Sequence, residues 1–208
     1  MTVPGSLAQQ IFLLAHDPDK GRVRIGTPLG AMLRAASLAE LYLNGHLTDE
    51  RGRAAVTGRG RCSDPVLAAM LDEIGASRPR KWQSWVDRRQ GAAVSAVRTQ
   101  LGAGGWARLE PYKILGLIPR TRVTPRDPRV RKELLRRVRA ALTDPVGRVE
   151  AVDAARVAVV AAGGLGLVLD RKARRAAKRR IQELTVLTGP AGPALRKSIE
   201  ATNSSAGG

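Results

Sequence analysis

Arg34 and Arg98 are the residues whose setting invites chemistry. Between Ala31 and Leu43 the strongly polar side chains are Arg34, Ser37 and Glu40, and Arg98 is the only charged residue between Arg89 and Arg108. Around Arg34, one apolar face is made by Leu29, Met32, Leu33, Ala36 and Leu43, and Leu38, Leu41 and Tyr42 fill much of the other side. A helix that is apolar nearly all round is usually buried. A guanidinium inside it must meet a carboxylate or another anion, because an unpaired buried charge is prohibitively costly. Two readings stay open. Each arginine closes an internal ion pair with a carboxylate such as Glu40 or Glu110. Alternatively the two converge on one phosphate, which a planar guanidinium binds through two parallel hydrogen bonds.

Residues 104–122 offer a second constellation, read as two short strands around Glu110, Pro111 and Tyr112. Ile114, Leu115, Leu117 and Ile118 form an apolar edge beside Tyr112 and Trp106, ringed by Arg108, Lys113, Arg120 and Arg122. An apolar tip with aromatics and cations behind it suits a loop that dips into a bilayer. Packing into the core or into a second subunit is at least as common for such a stretch. The arginines of residues 129–139 and the cluster at 171–180 are solvated faces by default. Beside an anionic leaflet each nearby cation adds about 1 kcal/mol of attraction, and the same faces suit DNA phosphates.

Catalytic patterns are absent. The chain has no G-x-x-x-x-G-K, no H-E-x-x-H and no paired-cysteine metal motif; His16 and His46 are isolated, and Cys62 lacks an obvious base. RVAVVAAGGLG (residues 156–166) resembles a strand entering a dinucleotide-binding turn, but Ala161 stands where the first glycine belongs and only 42 residues follow. No enzyme activity, cofactor or metal is expected.

The elements that must position these residues follow from periodicity and caps. Ser6 with Gln9 reads as a capping box ahead of a short helix from Leu7. Thr27, Pro28 and Gly45 bracket the helix that carries Arg34. Residues 46–56 read as a hairpin turning near 49–52, and Asp64-Pro65 opens the next helix. Trp82, Trp85 and Val86 lie at helical spacing, as do Val94, Val97 and Leu101 ahead of the 104–122 hairpin. Asp127-Pro128 caps an amphipathic helix whose Val130, Leu134, Leu135, Val138 and Leu142 face inward, with Arg129, Arg131, Lys132, Arg136, Arg137 and Arg139 outward. A nearly uncharged helix near 153–162, a basic helix from 171 and a short helix after Pro193 complete the chain, ahead of a disordered tail.

Composition fits that inventory. With 208 residues and 43% hydrophobic side chains there is material for a real core. The net charge is +18, unevenly spread: residues 1–104 hold 14 basic against 9 acidic side chains, and residues 105–208 hold 22 against 9. Such a field favours polyanions. Cys62 is the single cysteine, which excludes an internal disulfide and suits a reducing compartment. The opening residues lack a secretory pattern, and the longest uncharged apolar run, residues 157–169, is too short for a bilayer.

LRAASLAELYLNGHL (residues 33–47) resembles the signature of the Golgi phosphoprotein 3 family, in which Leu-Arg precedes Glu-Leu-x-Leu-x-Gly. SLAQQIFLLAHDPDKGRV, DPVLAAMLDEI, WVDRR, VRTQL, ILGLIPRTR and RRIQEL extend the similarity in order over roughly residues 6–186, in the style of a high-GC bacterial member. The resemblance implies a mostly helical peripheral membrane protein. Its relatives recognise phosphatidylinositol 4-phosphate, insert a hydrophobic hairpin and hold the tails of membrane-anchored glycosyltransferases. Their headgroup pocket uses a tryptophan, an arginine nine residues later and two basic residues spaced three apart. Carried onto this chain, the arginine is Arg34 and the second basic residue is Arg98, while Ile25 stands at the tryptophan position and Ser95 at the first basic one. Two of the four contacts are therefore replaced, which favours anionic-lipid binding over strict phosphoinositide recognition.

The sequence thus predicts a single mainly α domain of this type over residues 1–202, with two small β-hairpins and a disordered tail at 203–208. The expected headgroup site is Arg34, Arg98, Ile25 and Ser95; the expected membrane or oligomer hairpin is Tyr112, Ile114, Leu115, Leu117 and Ile118. The expected function is binding of an anionic phospholipid or phosphoinositide surface at the cytoplasmic face of a membrane. Membrane-protein tails and a homo-oligomer are compatible further partners. The alternatives are a winged-helix DNA-binding protein, disfavoured because a recognition helix needs an exposed polar face, and a lipid-independent protein adaptor.

Overall fold

The computed structural model describes residues 2–24, 26–114 and 117–205. The chain runs through α1 (Leu7–Ala15), a minimal hairpin of β1 (His16–Asp17) and β2 (Arg22–Val23), and α2 (Leu29–Leu43). Next come β3 (Leu47–Glu50), β4 (Arg53–Val56), α3 (Pro65–Gly75), β5 (Arg80–Lys81), α4 (Trp82–Asp87) and α5 (Gln90–Ala103). The hairpin β6 (Ala107–Ile114) and β7 (Ile118–Pro125) leads to α6 (Pro128–Thr143), α7 (Ala151–Ala162), α8 (Arg171–Ala176), α9 (Lys178–Val186) and α10 (Ala191–Ser205). The fold is mainly α with small antiparallel sheets.

Helix α2 is the hub. Eleven of its fifteen residues are buried, so it meets neighbours on every side: α1, α5, α7 and α10. It ends in a Schellman turn, with Gly45 at φ +74°, the Gly45 N–H donating to Tyr42 O and the His46 N–H to Leu41 O. Its start differs from expectation: Thr27 does not cap with its side chain, and Pro28 occupies the boundary. Gly30 sits where α2 crosses the start of α5. A Cβ there would lie 2.6 Å from Gln90 Cβ and 2.9 Å from the Gln90 carbonyl oxygen. That close crossing fixes α5 against the helix that carries Arg34.

Helix α1 is wholly buried. The expected capping box is not formed, because Ser6 makes no side-chain cap and its Oγ is buried without a partner among the described residues. Instead Glu40 of α2 accepts the Leu7 N–H at 2.8 Å. Elsewhere the local signals hold: Asp64 accepts from Val66 and Leu67 N–H groups to start α3, Asp127 from Arg129 to start α6, and Asp170 from Ala173 to start α8.

Several boundaries depart from the sequence reading. The residue 104–122 hairpin does not turn at Glu110-Pro111-Tyr112; the pairing runs from Ala107↔Pro125 to Ile114↔Ile118, so the strands continue past those residues. Proline is tolerated because each strand of a two-stranded ribbon has an open edge. β4 gains a third strand, β5, for a β3-β4-β5 order. The basic helix is broken into α8 and α9. Helix α10 starts before Pro193 and continues through Ser205, past the onset of the expected disordered tail; residues 206–208 lie outside the described residues. Arg131, expected to face out, is half-buried near Asp17 and Asp19.

Candidate basic site

Helix α5 separates the two arginines that the sequence brings to one phosphate. Arg34 is 4% exposed and forms an internal ion pair, its Nη1 3.0 Å from Glu73 Oε2 and its Nε donating to the Trp85 carbonyl at 2.9 Å. Burial lowers its pKa and Glu73 opposes the shift. Arg88 and Arg89 also reach Glu73, at 3.4 and 3.7 Å. Of the two open readings, the ion pair is the one realised at Arg34, and the shared pocket with Arg98 is not formed. Ser95 lines the same α3–α5 groove as Arg34, and its Oγ accepts weakly from Arg98 Nη2 at 3.4 Å. Ile25 lies outside the described residues.

Arg98 opens on the opposite side of α5. Positions 94 and 98, one turn apart, face a cavity of about 370 Å³ that Phe12, His16 and Leu29 also border. Lys20 reaches it from the β1–β2 turn and Arg22 from the start of β2, and Tyr112 and Arg122 reach it from the middle and outer rows of the β6–β7 hairpin. Asp17 Oδ1 accepts from the Asp19 and Lys20 N–H groups and shapes that turn. Four cations thus converge with no carboxylate among the described lining residues. The Arg122 guanidinium lies over the Tyr112 ring at 5.6 Å, a cation–π contact that holds it at the rim.

His16 forms part of the cavity wall. It is 4% exposed, and its Nε2 is buried without a hydrogen-bond partner among the described residues. Burial lowers its pKa, opposed by the carbonyls of Val123 and Gly21, and Arg131 adds to the lowering. A neutral imidazole at this wall offers a polar atom without adding to the positive charge. Chemically the arrangement suits an anion. Among the described residues no group of three or more His, Cys, Asp or Glu is placed to hold a metal ion.

Leu117 is 84% exposed and Tyr112 43% exposed. Ile114 and Ile118 form the last backbone pair, whereas Leu115 lies outside the described residues.

Sequence reasoning missed three participants and one parallel. Lys20, Arg122 and His16 are distant in sequence from Arg98, and only the fold unites them. Arg156 is the parallel: fully buried in α7, it pairs with Asp153 and donates through Nε to Gln10 Oε1 at 3.0 Å. The signal that singles out Arg34, one cation among apolar residues, was present there too. The residues that mimic a dinucleotide-binding strand are helical in α7, so that motif has no strand to follow. The winged-helix alternative lacks its recognition surface, since α2 is buried on nearly all sides.

A family model described as Golgi phosphoprotein 3 (GPP34) matches residues 7–202 of the chain. The comparison with curated proteins finds no match.

Proposed function

The chain belongs to the Golgi phosphoprotein 3 family, and on that footing we propose that it is a peripheral membrane protein that binds anionic phospholipid at a cytoplasmic membrane face. The observation that carries the reading is the cavity lined by Lys20, Arg22, Arg98 and Arg122 without an opposing carboxylate among its described lining residues. It accepts a phosphorylated headgroup, phosphatidylinositol 4-phosphate included, through charge-assisted hydrogen bonds. In this proposal Lys20, Arg22 and Arg122 join Arg98 and take the places that the sequence expectation gave to Arg34 and Ser95.

The hairpin apex at Leu117 supplies a shallow apolar anchor beside this receptor. The exposed arginines of α6, α8 and α9 add a diffuse attraction to an anionic leaflet. No helix among the described residues is long and apolar enough to cross a membrane.

Co-sedimentation with vesicles of neutral lipid, alone or doped with phosphatidylserine or phosphatidylinositol 4-phosphate, tests the reading. Doped vesicles should retain the protein, with retention falling as salt rises, and Arg98→Glu should abolish most of it. Equal retention of Arg98→Glu would reject the cavity as the receptor.

A further inference from the structure

A second opening lies on the other face of α5, where α3 and α5 splay apart over α2 and leave a groove of about 810 Å³. The helices run antiparallel: Gln100 Nε2 donates to Asp64 Oδ2 at one end, and Arg89 reaches Glu73 at the other. Between these ends the walls are mainly apolar, from Val66, Ala69 and Met70 on α3 to Ala92, Ala96 and Ala103 on α5, with Ser37, Ser95 and Thr99 the polar side chains among them.

The two ends are polar and incompletely satisfied. Arg34 lies at the floor of one end, and its Nη2 is buried with no partner among the described residues. A nine-tenths-buried guanidinium rarely leaves a donor unmade without a reason. Three arginines, Arg34, Arg88 and Arg89, share the single carboxylate of Glu73, so this end carries excess positive charge. Gln100 Oε1 is likewise buried and unpartnered at the far end.

We propose that this groove binds a single long-chain carboxylate, a fatty acid, whose head meets Arg34 and Arg89 and whose chain lies along α5. Charge complementarity sets the head: an anion is wanted at the Glu73 end. Length fits the chain, because Arg89 to Gln100 spans about 16 Å at the helical rise. An extended peptide is disfavoured, since each of its residues brings a backbone donor and acceptor to be satisfied, and between its ends the groove offers only the hydroxyls of Ser37, Ser95 and Thr99 among alanine, valine and methionine side chains.

Calorimetric titration of the full chain with sodium dodecanoate below its micelle concentration tests the assignment, with dodecyltrimethylammonium as the same chain bearing the opposite charge. One saturable site for the carboxylate and none for the ammonium is the expected result. Ala96→Trp, at an exposed position on the groove wall, should weaken dodecanoate by about tenfold or more while leaving the unfolding temperature and anionic-vesicle retention unchanged. Ala92→Phe provides a second obstruction at a different turn. Absence of saturable binding, equal binding by both obstructed variants, or equal binding of the ammonium overturns the proposal. So does preferential binding of an acidic amphipathic peptide, or a dimer that Ala96→Trp dissolves. Vesicle retention that falls in step with dodecanoate binding would also overturn it, because the groove would then be part of the headgroup receptor.

Discussion

Glu40 Oε2 accepts the backbone N–H of Leu7 at 2.8 Å, so a carboxylate in the middle of α2 caps a helix that begins 33 residues earlier. Burial pushes the Glu40 pKa up to about 7, against the lowering effect of the Leu7 N–H, and Asp64 adds to the rise. The folded state therefore holds this proton more tightly than the unfolded chain does. The associated stability is complete below the ordinary value of 4.5 and is lost as pH climbs through 7. The span corresponds to something on the order of 3 kcal/mol. Glu40→Gln keeps an acceptor for Leu7 and removes the titration. Its melting temperature should exceed the parent's at pH 8, and the two should converge near pH 4.5. Parallel pH profiles for the two proteins would refute this.

Glu73 neutralises the buried Arg34. Glu73→Ala leaves that guanidinium without a counter-charge and should cost about 3–5 kcal/mol in urea unfolding. Arg88→Ala removes a partly exposed contact at 3.4 Å and should cost under about 1 kcal/mol. A similar loss from both variants would mean that Arg34 finds compensation elsewhere.

Gly30 has no room for a side chain. Gly30→Ala should destabilise by about 1–3 kcal/mol through forced separation of α2 and α5. Gln90→Gly should rescue it only in part, because the Gln90 carbonyl oxygen remains 2.9 Å from the added Cβ. Urea midpoints of the single and double variants check this, and full rescue would place the clash in the side chain alone.

Leu117 is exposed, so its replacement reports on membranes and not on folding. Leu117→Asp should leave the unfolding free energy within about 0.5 kcal/mol of the parent's and reduce vesicle retention. Unchanged retention would remove the hairpin from the membrane contact.

Much of the fold is legible in short-range signals. Asp64-Pro65 and Asp127-Pro128 mark helix starts that the structure keeps, and Gly45 marks an end, because a cap is decided by a few consecutive residues. The Ser6–Gln9 capping box fails because Glu40, distant in sequence, takes the Leu7 N–H that a local cap competes for. At the candidate site the sequence identifies unusual cations but not their partners. The isolation of Arg34 correctly marks burial, yet whether its anion is Glu73 or a ligand depends on how α3 folds back. Arg98 meets Lys20, Arg22 and Arg122 through three separate chain reversals, and no spacing rule encodes such a meeting.

The backbone ladder of the β6–β7 hairpin stops only two rows beyond the Tyr112↔Arg120 pair, at Ile114↔Ile118. At about 3.4 Å per row, with one turn added, Leu117 projects roughly 10 Å past the level of Tyr112. On the proposed binding mode, which sets the cavity at the height of the phosphates, the apex would stop in the outer part of one leaflet, well short of the midplane of a core roughly 30 Å thick. The ribbon would then set the depth of insertion. Lengthening it by two residue pairs would lift the receptor off the surface that the apex grips, and shortening it would withdraw the apex while the headgroup is still held.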